Sequence, residues 1–427
     1  MSSFIKSWNN CYNQVPFSNF MVSMDLLTSF PKSLNKSFFI LLDAKPSLNF
    51  DVLIINILFP LMPLKLLSYK VWILAPHLIT NDSNIDYYYD YTQSIAEYTK
   101  VFAELKIDWQ WQPVTLNDFK EKIDIISSFN HQNNQLVLNL CDGDEINDTP
   151  GVSVIRYLEK KGICFTGADA FFYDITTSKI PMKLAFDDAG VTTAAWKIIN
   201  GHQNNLNNIF EELGTPIILK PAVSGGSMGI GIKNVVSNLE ECEEQIKKMK
   251  IGYRGWSLTV DGIIAESFIE GPEYTVFITG NYDCVDRAKI YTPIERVFHD
   301  SLPEREKFLS FERLWEIYED ETPMPNDDFF YEYQQPDHSL IEAIKKISWD
   351  AFVACKGTGY ARVDIRMDRH TQKMYVLEVN AQCGISEDEN FTSIGAILRV
   401  SNISFTDLIV SILEETIYRK KLMPIAS

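Results

Sequence analysis

Two short stretches near the C-terminus alternate charged and apolar residues, and they constrain this chain more than any other feature. In one, Arg362, Asp364, Arg366 and Asp368 alternate with Ala361, Val363, Ile365 and Met367. In the other, Glu378 and Asn380 share one face, and Tyr375, Leu377 and Val379 share the opposite face. Side chains at i and i+2 of a strand point the same way, so each stretch reads as a strand with one polar face. A hairpin turning at Thr371 sets Asp364 opposite Glu378 and Arg362 opposite Asn380. Facing carboxylates repel in an ordinary sheet. A divalent cation removes that conflict, and Mg²⁺ favours one or two carboxylates completed by phosphate oxygens. A solvated sheet face, with its charges pairing through Arg366 and Lys373, is the other reading.

Residues 216–231 form an apolar strand ending in Lys220, followed by a loop with Gly225, Gly226, Gly229 and Gly231. Glycines let backbone N–H groups approach phosphate, and Ser224 and Ser227 add hydroxyls. The spacing fits neither a P-loop nor a dinucleotide fingerprint, and a plain hairpin also accounts for it. In residues 263–276 a strand breaks at Glu270-Gly271-Pro272 and restarts. Backbone groups freed there suit an adenine edge and Glu273 suits ribose hydroxyls, with an ordinary turn as the alternative. Lys179, opening a helix, reads on its own as a surface lysine.

Apolar runs alternate with amphipathic stretches, which points to α/β architecture. Strands are expected at Phe38–Leu42, Val52–Leu58, Val71–Ala75, Leu136–Leu140 and Ile163–Thr166. Helices are expected at about 87–105, with Ile95, Tyr98, Phe102 and Leu105 on one face, and at about 151–161. This resembles an open parallel sheet. A small α+β block follows, with helices at about 179–189, 205–213 and 237–250 and strands at Ala194–Ile199 and Ile217–Lys220. Beyond it come strands at 263–267, 273–279 and 284–290, a polar stretch at 299–337 read as a long functional loop, and helices at 338–356 and 403–419.

Composition narrows the function. Asp plus Glu (57) outnumber Lys plus Arg (39) for a net charge of −18, which argues against a reader of duplex phosphates. Seven cysteines occur without a CxxC pair, so neither a disulfide framework nor a structural zinc is expected. The apolar run 52–64 contains Asn56, Pro60 and Pro63 and is short for a spanning helix. It reads as a buried strand and loop, with a membrane-surface element as the alternative. No leader pattern is recognised, and the expected setting is cytoplasmic and reduced.

In order and spacing these pieces resemble the ATP-grasp superfamily, and within it the D-alanine–D-alanine ligase-like carboxylate–amine ligases. The match is specific from about Lys179 to Gly384 and looser from about Leu136. The resemblance implies an α/β and α+β fold: an N-terminal open parallel-sheet (pre-ATP-grasp) domain followed by a two-lobed ATP-grasp unit. Residues 1–68 would pack with the first domain, 69–172 form the substrate domain, 173–260 the small lid, and 261–427 the domain with the metal site. Lys179 and Lys220 would then contact ATP phosphates, and Ser227 would lie in the loop closing over them. Glu266, the backbone at Phe268 and Ile269, and Glu273 would hold adenine and ribose. Asp364, Glu378 and Asn380 would bind two Mg²⁺ ions, with Mn²⁺ as the alternative. Arg362 would stabilise the charged intermediate, and Gly384 would lie where the reacting carboxylate binds. The implied reaction phosphorylates a small carboxylate, expected to be an amino acid, and lets an amine attack the acylphosphate. No nucleic acid or membrane span is implied, and a homodimer is the assembly considered.

The departures concern substrate identity. Ala75-Pro76-His77-Leu78 stands where such ligases carry a glycine-rich, glutamate-containing turn. Their His-Gly and Gly-Glu-Asp-Gly elements appear as Cys141-Asp142-Gly143 and Asn147–Gly151. Phe311-Glu312-Arg313-Leu314-Trp315 lacks their lysine. Cys383-Gly384 replaces Pro-Gly, and Cys383 reads as a packing residue. Glu387-Asp388-Glu389 would suit a cationic amine better than a carboxylate. A nucleotide-binding regulator without ligase chemistry and an ATP-grasp kinase are the alternative functions.

Overall fold

Val71–Ala75 is apolar throughout, as a strand covered on both faces must be. It forms the centre of β1 (Tyr69–Pro76), one of the two inner strands of a parallel sheet ordered β2-β1-β3-β4 with β2 (Asp108–Val114), β3 (Asn134–Asn139) and β4 (Cys164–Phe165). This computed structural model describes residues 66–422 apart from 79–89, 130–133, 200–205, 207 and 391. The strands expected at Phe38–Leu42 and Val52–Leu58, and the run 52–64, lie outside the described residues.

Helices α1 (Thr92–Leu105), α2 (Phe119–Ser128) and α3 (Val152–Lys160) flank this sheet in sequence. α1 buries Glu97, Tyr98, Val101 and Phe102, whereas Ile95 is exposed. The buried face is therefore rotated from the expected one. Next come α4 (Ala170–Thr177) and α5 (Lys179–Ala189), whose N-cap is Ser178 and which ends at the left-handed Gly190.

A second, antiparallel sheet is ordered β5-β8-β6-β7: β5 (Trp196–Ile199), β6 (Ile217–Pro221), β7 (Val235–Val236) and β8 (Ile263–Ser267). With α6 (Ile209–Leu213) and α7 (Leu239–Ile251) it encloses its own core around Ile217, Leu219, Ala265, Cys242 and Ile246.

The third sheet is ordered β12-β11-β9-β13-β14, with β10 on β9. Its strands are β9 (Glu273–Asn281), β10 (Lys289–Ile290), β11 (Ile294–Phe298), β12 (Tyr331–Gln334), β13 (Thr358–Met367) and β14 (Met374–Ala381). The expected strand 284–290 is a 3₁₀ turn at Val285–Arg287 plus the two-residue β10. The stretch 299–337 holds the short helix α8 (Phe311–Leu314) and the edge strand β12. One face of this sheet, with Val276, Ile278, Val363, Ile365 and Val379, packs on Ile344, Ala351 and Phe352 of α9 (Ile341–Ala354), in a core shared with Trp72 and Val137 of the first sheet. Two further helices, α10 (Ser393–Ser401) and α11 (Phe405–Leu422), meet at a bend of 101° and bury their apolar residues in a core with Phe277 and Tyr360. No single helix among the described residues is long and apolar enough to cross a membrane.

Candidate active site

The hairpin register matches the alternation. Asp364 lies opposite Glu378 and Arg362 opposite Asn380. A bulge between Asp364 and Ile365 shifts the pairing by one residue beyond that point, so Arg366 faces Tyr375. β9 completes the polar face, with Thr275 opposite Asp364 and Glu273 opposite Arg366.

Asp364 is buried and heavily bonded. Arg362 donates from Nε to Oδ1 and Oδ2 at 3.1 Å each and from Nη2 to Oδ2 at 2.9 Å. Thr275 Oγ1 donates to Oδ1 at 2.9 Å. Asn380 Nδ2 reaches Asp364 Oδ2 at 3.0 Å and Glu378 Oε1 at 3.3 Å, sitting between the two acids. Burial alone would raise the Asp364 pKa, but Arg362 and then Arg296 hold it below its ordinary value. The face is thus not a solvated one, and its charges are matched by arginine and amide. Among the described residues, no three His, Cys, Asp or Glu side chains converge. The two carboxylates nonetheless fit Mg²⁺, which ordinarily takes few protein ligands and keeps water or phosphate in the rest of its shell, and Asn380 would join them through Oδ1 in place of the Nδ2 that now lies between them.

Lys179 is buried rather than on the surface, and its Nζ lies 3.8 Å from Glu378 Oε2. It belongs to a cluster that the sequence reading only half located. Lys220 Nζ donates to Glu266 Oε2 at 2.7 Å, and Lys183 Nζ is 3.1 Å from Glu266 Oε1. Lys183 follows Lys179 by one helical turn, and that spacing was the signal available for finding it. Glu266 sits on β8, beside Lys220 on β6, in the register Ile218 to Glu266 and Lys220 to Ile264.

Phe268 N–H donates to Pro216 O at 3.1 Å, and its ring packs edge-on to Phe308 with Arg366 over its face. Ile269 follows it, half-buried. Glu273 is buried between Arg296 and Arg366. Arg296 had no place in the sequence reading, and Arg366 entered it only as one charge of the alternating strand.

Ser227 adopts φ 62° in the glycine loop. The segment 310–321 holds that loop: Trp315 Nε1 donates to Gly226 O at 2.9 Å, Phe311 N–H to Ile230 O at 2.8 Å, and Ile232 N–H to Glu321 Oε1 at 2.9 Å. Arg313 does not stand in for the missing lysine, because it is buried against Glu306 and Glu321.

Gly384 is exposed, with only Thr392 Cγ2 near the position of a Cβ. Cys383 is buried, and burial pushes its thiol up to about 12, which fits packing rather than nucleophilic work. The acidic run is not the open cation receptor that the sequence suggested. Glu387 pairs with Lys100 at 3.0 Å and Glu389 with Arg399 at 2.8 Å, while Asp388 accepts from Asn390 N–H.

A parallel sheet, a small antiparallel sheet with a glycine loop, and a larger one carrying a basic and acidic face together define an ATP-grasp protein of the ATP-dependent ligase class. Residues 185–414, more than half the chain, match the family described as "D-ala D-ala ligase C-terminus", and the chain belongs to that family. It is 28% identical over 265 residues to the D-alanine–D-alanine ligase of Marinobacter nauticus, covering 61% of this chain and 69% of that one. For the corresponding enzyme of Idiomarina loihiensis the identity is 24% over 261 residues, covering 60% and 72%. A crystal structure of the Bacillus anthracis D-alanine–D-alanine ligase complexed with ATP shares the fold, with a TM-score of 0.57, 18% identity and coverage of 82% of this chain and 98% of that chain. The chain is an ATP-dependent carboxylate–amine ligase.

Proposed function

We propose that this ligase activates the carboxylate of a small amino acid with ATP and passes the acyl group to an amine. The observation that carries the reading is the Asp364–Glu378 pair, set in register beside Arg362 and Asn380 and within reach of Lys179.

In this reading residues 173–260 act as the lid, 261–427 as the metal-site domain and 69–172 as the substrate domain. Lys179 and Lys220 present fixed positive charge to the phosphates, where phosphoryl transfer depends on positioning and charge neutralisation. The backbone at Phe268 and Ile269 faces adenine, Glu266 is buried behind that edge and fixes Lys220 beside it, and Glu273, oriented by its arginines, accepts from ribose. A divalent cation held by Asp364, Glu378 and Asn380 would neutralise charge on the transferring phosphoryl group. Arg362 donates to the oxyanion that develops as the acyl carbon is attacked. Gly384 leaves room for the reacting carboxylate. Ser227 and the loop around it, pinned by Trp315, exclude water from an acylphosphate that would otherwise hydrolyse.

The test is release of ADP and phosphate with Mg²⁺ across L- and D-amino acids, singly and in pairs, with Glu378→Gln as control. Release that depends on a pair and is lost in the variant is expected. ATP binding with no stimulation by any pair overturns the amino-acid reading.

A further inference from the structure

Lys183 is a cation with 0% of its side chain exposed, and the roles proposed above leave it unused. Its Nζ lies 3.1 Å from Glu266 Oε1 and donates to Thr193 Oγ1 at 2.5 Å. The Thr193 hydroxyl in turn donates to Val376 O at 2.7 Å, on the strand that carries Glu378. The other Glu266 oxygen accepts from Lys220 at 2.7 Å. One buried carboxylate is therefore shared by two lysines. Lys183 is sealed in, whereas Lys220 leads into the glycine loop with 13% of its side chain exposed.

The charge count gives this sharing a consequence. Glu266 and Lys220 alone make a neutral pair, and a triphosphate would have to compete with Glu266 for the ammonium. A buried charge pair attracts far more strongly than one in water, so that competition is costly. With Lys183 present, the three groups carry one net positive charge, and the anchored partner of the carboxylate is the lysine that no ligand reaches.

We propose that Lys183 is a positioning residue: by holding Glu266 from within the protein, it leaves the charge of Lys220 available to the phosphates of the nucleotide. The inference rests on the ATP-binding reading above.

The measurement is the dissociation constant of the full chain for a non-hydrolysable ATP analogue and for adenosine, by titration calorimetry. The ratio of the two isolates the phosphate contribution and cancels contacts to adenine and ribose. Lys183→Met is expected to lower the preference for the analogue about tenfold, while adenosine binding moves much less. Adding Glu266→Gln removes both buried charges, frees Lys220, and is expected to return the preference toward that of the parent. A purely structural role predicts no such rescue. The proposal is overturned by an unchanged preference in Lys183→Met, by equal loss for both ligands, or by a preference that stays low in the double variant. Thermal melting reports whether Lys183→Met folds; where it does not, the charge-balanced double variant carries the test, and a preference below that of the parent overturns the proposal. A parent chain that binds neither ligand overturns the ATP-binding reading itself, a result distinguishable from failure of the Lys183 role.

Discussion

Replacing Glu266 by Gln probes the lysine-clamped carboxylate through stability. The Glu266 side chain is 1% exposed and lies 2.7 Å from Lys220 and 3.1 Å from Lys183. Burial by itself would raise its pKa, yet Lys183 and Lys220 reverse that and hold it at about 2, against an ordinary 4.5. A depression of that size corresponds to about 3 kcal/mol of folding stability. Because the folded value lies below the unfolded one, this contribution is fully present above about pH 5 and is lost as the pH falls through 4.5 toward 2. Removing one partner of a buried pair costs about 3–5 kcal/mol when the other charge is left stranded. Burial already lowers the Lys183 pKa from its ordinary value, which works toward the lower end of that range. Urea unfolding at neutral pH should therefore find Glu266→Gln less stable by about 2–3 kcal/mol. The gap should close toward about pH 2–3, since carboxylates elsewhere titrate alike in both proteins and cancel in the difference. A gap that is absent at neutral pH, or that does not change on acidification, refutes the clamped-carboxylate account.

Three other outcomes are expected. Trp315→Phe keeps an aromatic ring but removes the donor to Gly226 O; a hydrogen bond worth about 1 kcal/mol should raise the KM for ATP about fivefold in steady-state ADP release, and an unchanged KM counts against the loop being held there. Gly359 has φ 75°, and a Cβ there would lie 2.0 Å from Gly167 O; Gly359→Ala should cost about 2–4 kcal/mol, seen as a lower melting temperature. Asp364→Asn retains the shape but not the charge that holds Arg362 and a cation; ADP release should fall at least about 100-fold, and chelating Mg²⁺ from the parent should have the same effect, whereas full turnover in the variant removes Asp364 from the chemistry and full turnover under chelation removes the cation.

Much of the candidate site was legible because its signals are local. Period-two alternation is a property of a few consecutive residues, so with a turn at Thr371 the facing of Asp364 with Glu378 and of Arg362 with Asn380 was readable from the sequence alone. The same holds for the helix Lys179–Ala189, bounded by a serine cap and a left-handed glycine. Edge strands were less legible. β2 and β12 alternate only partly between buried and exposed positions, and they exist because a distant strand pairs with them rather than because their own residues demand it.

By itself the sequence determined which residue types share the polar face of β13 and β14, and through the order of its motifs the family to which the chain belongs. The tertiary structure decided which charges meet. It buried Lys179, set Lys183 and Lys220 on opposite oxygens of Glu266, and gave Glu387 and Glu389 to Lys100 and Arg399. All of those pairings but Glu389–Arg399 join residues far apart in the chain. Charge carries no periodic signature of its partner, and the strength of an ion pair depends on a burial that exists only once the chain has folded.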